Sequence, residues 1–429
     1  MERIYINGGK PLSGTIEVAG MKNAALPILF ATIIVEDKCV IENLPKIKDI
    51  ETALEILKAM GAKIRELSNG NVEIDTREVV CGSIPIELAK AMRGSYYVLG
   101  AELARFGRAQ AAFPGGCDFG ERPMDQHIKG FEALGAKVID NGDFIKCTTE
   151  SGLNAASIYL DVPSVGATIN IMLASVKLDG LTVIENAARE PHVVDLANFL
   201  NSCGADISGA GTEVIKIRGV KQLHGVTYAI IPDMIEAGTY MVAAAATNST
   251  LTITNVIPKH MESITAKLID MGISVTELDD ALIVSRNNTP LKKIKVKTNF
   301  YPGFPTDMQP QMCVLLCLAD GQSTLMEGVF DNRFKYTDEL IRMGACITVQ
   351  GRTATIEGRP SLHPATVRAV DLRGGAALVI AGLATKGVTW IDDIHHIERG
   401  YVNMVEKLQS VGADIKKVVI PDVPNGNHL

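Results

Sequence analysis

Hydrophobic positions along this chain build two kinds of helical stretch. In the first kind, apolar residues recur every three or four places. Ile50, Ala53, Leu54, Leu57 and Met60 do so within Ile50-Glu51-Thr52-Ala53-Leu54-Glu55-Ile56-Leu57-Lys58-Ala59-Met60, which predicts an amphipathic helix. The second kind is apolar on nearly every side and rich in small residues, as over 24–35, 165–178, 237–246 and 374–384. A helix of that kind belongs at the centre of a core. Short alternating stretches predict strands, such as 63–67 and 71–75, the latter following an Asn69-Gly70 turn.

One phrase ends each amphipathic stretch and repeats along the chain: Met60-Gly61-Ala62, Leu134-Gly135-Ala136, Cys203-Gly204-Ala205, Met271-Gly272-Ile273, Met343-Gly344-Ala345 and Val411-Gly412-Ala413. The glycines stand 74, 69, 68, 72 and 68 residues apart. Six near-equal units mark a true internal repeat, and each glycine is placed to supply a left-handed helix cap. The period is too long for the common solenoids. The pattern predicts an α/β protein in which six units form two pseudo-three-fold domains, with small-residue helices inside and sheets and amphipathic helices outside.

Length supports more than one core, because 429 residues exceed what a single ordinary domain uses. A hydrophobic fraction of 47% and a charged fraction of 21% are those of a globular protein. The longest apolar runs fall short of a membrane span, and the N-terminal residues lack the pattern of a signal peptide; the expected setting is the cytoplasm, with no membrane partner. A net charge of −7 argues against a general nucleic-acid binder. Eight scattered cysteines do not make a disulfide framework.

Among those cysteines, Cys117 stands apart. It lies in Phe113-Pro114-Gly115-Gly116-Cys117-Asp118-Phe119-Gly120-Glu121-Arg122-Pro123, a glycine-rich loop with an arginine nearby, where a thiol can serve as acid or nucleophile. Cys39, Cys147, Cys203, Cys313, Cys317 and Cys346 sit in apolar or strand-like runs and read as core. No metal site is expected: His395 and His396 are adjacent and should point apart, and His127 is solitary. Lys22 and Asn23 open the first apolar helix, where a helix N-terminus and an ammonium suit an anion, although Asn23 could equally be a cap. Pro27 is expected near the first turn. Asp307 precedes a helix starting near Met308, and its position alone favours an N-cap.

Several segments resemble the enolpyruvyl transferases: Gly20-Met21-Lys22-Asn23-Ala24-Ala25-Leu26-Pro27, Pro114-Gly115-Gly116-Cys117, Arg122-Pro123, Ser164-Val165-Gly166-Ala167-Thr168, Phe304-Pro305-Thr306-Asp307-Met308-Gln309-Pro310-Gln311, Asp371-Leu372-Arg373-Gly374-Gly375 and Glu398-Arg399-Gly400-Tyr401. The likeness runs over essentially the whole chain. It implies two inside-out, barrel-like α/β domains of three units each, one over 22–232 and the other over 1–21 and 233–429, with the active site in the cleft between them. It implies transfer of the enolpyruvyl group of phosphoenolpyruvate to the 3-hydroxyl of UDP-N-acetylglucosamine, with no cofactor. The branch acting on shikimate 3-phosphate shares the donor but does not rely on a loop thiol.

The same resemblance implies roles. Cys117 is the acid and the site of a covalent adduct, and Asp307 is the base. Lys22, Asn23, Arg122, Arg373 and Arg399 hold phosphoenolpyruvate. Asn23, Arg93, Arg122, Pro123, Met124, Asp125, Gln126, Asp307 and Val329 contact the UDP-sugar, Ser164, Val165 and Gly166 its diphosphate, and Arg333 supports the site. One departure stands out: the family often carries a lysine just after the aspartate that is Asp161 here, and this chain has Val162.

Overall fold

The computed structural model describes residues 2–82, 84–112 and 124–419, the side chain of Arg93 excepted. The chain divides into two compact units. The first holds the described residues of Met1–Val18, Asp233–Asn299 and Gly303–Leu429; the second holds those of Ala19–Pro232 with Phe300–Pro302.

Three helices fill the centre of each unit. In the second unit they are α1 (Lys22–Val35), α2 (Val98–Phe106) and α3 (Val165–Ser175). In the first they are α4 (Met234–Ala246), α5 (Gln309–Cys317) and α6 (Leu372–Ala384). Within each unit every pair of these helices is in contact. Their faces are buried almost all round, as apolar periodicity without a polar side requires. Four of the six match apolar stretches in the sequence. Of the other two, α5 follows Asp307 as expected, starting at Gln309, and buries its polar Gln309 and Gln311, while α2 was masked by Glu102, which the fold buries. The Glu102 carboxylate accepts from the backbone N–H of Gly82 at 2.8 Å, and burial pushes its pKa up. Pro27 lies in the second turn of α1 rather than the first. Lacking an N–H, it leaves the Asn23 carbonyl without its usual intrahelical donor.

The predicted amphipathic helix runs Lys48–Ala59, burying Ile50, Ala53, Ile56 and Leu57. All six repeat glycines take positive φ, between +89° and +103°, a conformation glycine adopts without a Cβ penalty. A hairpin follows the helix, Lys63–Glu66 pairing antiparallel with Val72–Asp75.

Six open sheets result, five of four strands and one of three, and none closes into a barrel among the described residues. In three of them the central helix joins a parallel pair: α3 links Ser157–Tyr159 to Leu181–Glu185, α5 links Lys295–Lys297 to Gln322–Met326, and α6 links Thr366–Arg368 to Gly387–Asp392. Buried and exposed residues alternate along the strands, as in Val214–Arg218, where Ile215 and Ile217 face inward.

Three strands arrive from far along the chain. Thr227–Ala229 lies parallel to Lys38–Glu42, so the end of the second unit completes its first sheet. Its Tyr228 hydroxyl donates to the Asp195 carboxylate at 2.6 Å. Ser13–Glu17 lies parallel to Thr250–Thr254, with the second unit inserted between them in sequence. Glu2–Gly8 sits between Gly387–Asp392 and Ile415–Val419, antiparallel to both.

Candidate active site

The three units of the first body each place an aspartate just ahead of the central helix: Asp233, Asp307 and Asp371. Two of them cap. Asp233 accepts from the N–H groups of Ile235 and Glu236 at 2.8 and 3.1 Å, and Asp371 from those of Arg373 and Gly374 at 2.9 and 2.8 Å. Asp307 does not. A 3-10 turn, Thr306–Met308, precedes α5 and puts Met308 at the cap position, where no side chain bonds the helix.

The Asp307 carboxylate instead meets two guanidiniums. Arg333 Nη2 donates to Oδ1 at 3.0 Å, and Arg373 Nε donates to Oδ2 at 3.2 Å. Both arginines are 2% exposed. A buried cation is tolerated only beside an anion, so the pair of arginines and Asp307 hold one another in place. The Nη1 of Arg373 is buried and has no hydrogen-bond partner among the described residues.

Glu327 organises the neighbouring backbone. Its carboxylate accepts from the Thr306 hydroxyl at 3.0 Å and from the N–H groups of Val329 and Phe330 at 2.9 and 3.1 Å. It thereby ties the turn carrying Asp307 to the loop carrying Val329 and Arg333. Arg399 is partly exposed and follows the short helix His395–Glu398. On that helix His395 and His396 do not point apart: their rings lie 4.1 Å apart, centroid to centroid. Successive helical positions sit only 100° apart, which lets two flat rings turn onto each other.

In the second body, Lys22 is the first residue of α1, and its ammonium pairs with the Asp49 carboxylate at 3.1 Å. Both side chains are mostly buried, so Lys22 is not a solvated surface lysine. Asn23 lies inside the helix and is not its cap; the cap position belongs to Met21. Ser164 caps α3, accepting from the Ala167 N–H at 3.3 Å, and Val165 and Gly166 form the first turn. Gly166 has no room for a side chain, since a Cβ there would fall 2.6 Å from His127 Nε2 and 2.8 Å from the Tyr96 hydroxyl.

Asp125 and Gln126 open the helix Asp125–Ala133, and Met124 before them is buried. Gln126 accepts from the Asp161 N–H at 2.9 Å and donates to its carboxylate at 3.2 Å. Lys129 on the same helix reaches that carboxylate at 2.8 Å. These bonds, Lys129 first and Gln126 next, lower the Asp161 pKa. Val162 is exposed, so an ammonium does stand beside Asp161, but it comes from Lys129.

Cys117, Arg122 and Pro123 lie outside the described residues, as does the Arg93 side chain; the Arg93 backbone starts the 3-10 turn Arg93–Tyr97. Cys39, Cys147, Cys203, Cys313 and Cys317 are buried, whereas Cys346 is only partly so. Among the described residues no cluster of histidine, cysteine and carboxylate side chains could hold a metal, and no helix is long and apolar enough to cross a membrane. Sequence reasoning overlooked Asp49 and Glu327. Nothing local marks Asp49, whose partner is 27 residues away.

Comparison with known proteins places these features in context. A family model described as EPSP synthase (3-phosphoshikimate 1-carboxyvinyltransferase) matches residues 6–408. UDP-N-acetylglucosamine 1-carboxyvinyltransferase 3 of Caldanaerobacter subterraneus subsp. tengcongensis is 54% identical over 418 residues, covering 97% of this chain and 100% of that protein. A UDP-N-acetylglucosamine 1-carboxyvinyltransferase of Clostridium botulinum is 51% identical over 420 residues, with 97% and 100% covered. Among solved structures, the enolpyruvyl transferase NikO from Streptomyces tendae superposes with a TM-score of 0.87 at 26% identity, covering 98% of this chain and 99% of that one.

Proposed function

The chain belongs to the EPSP synthase family of enolpyruvyl transferases, and we propose that its reaction joins phosphoenolpyruvate to UDP-N-acetylglucosamine. The enolpyruvyl group moves to the sugar 3-hydroxyl and phosphate leaves, the first committed step of peptidoglycan precursor synthesis. Near-full-length likeness to UDP-N-acetylglucosamine 1-carboxyvinyltransferases supports the choice of substrates. The structural observation that carries the mechanism is the Asp307 carboxylate, turned from its helix onto two buried arginines.

The chemistry is addition followed by elimination. The sugar hydroxyl attacks the central carbon of the enol and its proton passes to Asp307. The methylene carbon takes a proton from the Cys117 thiol. The tetrahedral adduct then gives back a methyl proton and expels phosphate, restoring the double bond. A base at the hydroxyl, an acid at the methylene and cations on phosphate and carboxylate are what this sequence demands. Lys22, Arg122, Arg373 and Arg399 supply the cations and Asn23 a polar contact. The unpartnered Nη1 of buried Arg373 supports its part in gripping an anion. Arg333 acts by orienting Asp307. Arg93, Pro123, Met124, Asp125, Gln126 and Val329 receive the UDP-sugar. Ser164, Val165 and Gly166 meet its diphosphate, since the first turn of a helix presents unbonded N–H groups to anions. The reaction belongs in the cytoplasm, where a working thiol stays reduced.

Phosphate release tests the reading. Release should require both phosphoenolpyruvate and UDP-N-acetylglucosamine, and shikimate 3-phosphate should not replace the latter. Release with shikimate 3-phosphate, or none with the UDP-sugar, overturns it. Cys117→Ser should cripple turnover yet still bind the UDP-sugar, and fosfomycin, a thiol-directed epoxide, should alkylate Cys117. Mass-spectrometric mapping of the adduct to another cysteine would count against the acid assignment.

A further inference from the structure

Each central helix of the first unit buries a polar side chain near one point of the interior: Thr239 from α4, Gln311 from α5 and Arg373 from α6. They meet at Tyr401. Thr239 and Gln311 are fully buried, and Tyr401 is 4% exposed. We propose that Tyr401, locked by Thr239 and Gln311, is a positioning residue that sets the plane of Arg373 and, through it, the direction of the Asp307 carboxylate. The proposal rests on the reading of Asp307 as the base.

Hydrogen-bond accounting leaves one arrangement. The Thr239 hydroxyl donates to the Ile235 carbonyl at 2.7 Å, which uses its only proton. Its 2.9 Å contact with the Tyr401 oxygen must therefore have tyrosine as donor. Tyr401 has then used its proton as well. Gln311 lies 3.1 Å from the Thr239 oxygen and 3.2 Å from the Tyr401 oxygen. Neither oxygen has a proton left to donate, so both contacts must come from the amide nitrogen, whose two N–H groups match two acceptors. The phenol is thus neutral and held from two sides, and burial raises its pKa.

A phenol pinned at its oxygen has a fixed ring plane. The Arg373 guanidinium carbon lies 5.2 Å from the centroid of that ring, within the range of cation–π attraction. Arg373 Nε reaches Asp307 at 3.2 Å. Orientation therefore passes from three helices to one ring, from the ring to a guanidinium, and from the guanidinium to a carboxylate. A base must point at the proton it removes, and small misplacements of reacting groups are expensive in rate.

Tyr401→Phe keeps the ring and removes its anchor. It should lower kcat about tenfold while KM for the UDP-sugar stays within about twofold. Thr239→Val, which leaves the ring in place, should give a smaller loss of the same kind, and it serves if the tyrosine variant folds poorly. The deciding measurement is a double-mutant cycle. In an Arg373→Lys background, Tyr401→Phe should cost less than about twofold more, because the ring acts through the guanidinium. An equal loss in both backgrounds, or an unchanged kcat in Tyr401→Phe, overturns the proposal. Asp307→Asn measured alongside separates the two readings. Full activity there sinks the base assignment, whereas a dead Asp307→Asn beside a normal Tyr401→Phe sinks only the positioning role.

Discussion

Asp233, Asp307 and Asp371 occupy one place in three copies of the same unit, and only Asp307 gives up its helix. The energetic consequences should differ accordingly. Asp233→Ala loses a cap, costing about 1 kcal/mol of stability with turnover retained. Asp307→Asn keeps the shape but removes the carboxylate charge that both buried guanidiniums meet. It should cost roughly 3 kcal/mol and lower turnover by about 10²- to 10⁴-fold. Urea unfolding and phosphate release on both variants check this; a stable Asp307→Asn would mean the arginines do not depend on the carboxylate. Position alone pointed to a cap at 307, and only resemblance pointed to a base. The reason is visible in the pairs: Arg333 and Arg373 stand 26 and 66 residues from Asp307, and no local pattern reveals partners at that range. Thr239 and Gln311 left a fainter mark, as polar residues in apolar helices.

At the scale of elements, periodicity was most informative where a helix buries one stripe and ends at glycine. The helix Lys48–Ala59 and the hairpin after it lie within two residues of their predicted bounds, because one face, one cap and one turn are all local. The helix α5 begins within one residue of the start expected near Met308, whereas α2 was missed because burial of Glu102 is a tertiary property. A different buried carboxylate ties the helix Pro191–Ser202 to the strand Thr227–Ala229. Asp195 is 2% exposed, and burial pushes its pKa from 3.8 up to about 6, against the bond from Tyr228. The folded state therefore keeps this proton longer than the unfolded chain does. The contribution is full below about pH 4 and is lost as pH rises through about 6, on the order of 2–3 kcal/mol. Asp195→Asn stays neutral, so its stability relative to the parent should rise between pH 4.5 and pH 7.5 in urea titrations. Parallel curves for the two proteins would show that Asp195 does not set this slope.

Over the whole molecule, closure of the sheets by distant strands matters more than any single contact. Removing residues 2–8 leaves Ile415–Val419 without its partner and opens an edge on Gly387–Asp392. The first unit should then lose its cooperative transition and become protease-sensitive, while the second unit, whose sheets include no strand from 2–8, should keep its own. Equal digestion of both would show that they do not unfold independently. The same connectivity imposes an order on synthesis. Val18 and its bonding partner Asn255 are 237 residues apart, on the order of 10–50 s of translation. Thr227–Ala229 leaves the ribosome before Thr250–Thr254, so the inserted body can finish folding on a nascent chain while the leading strands still wait, unpaired, for partners not yet made.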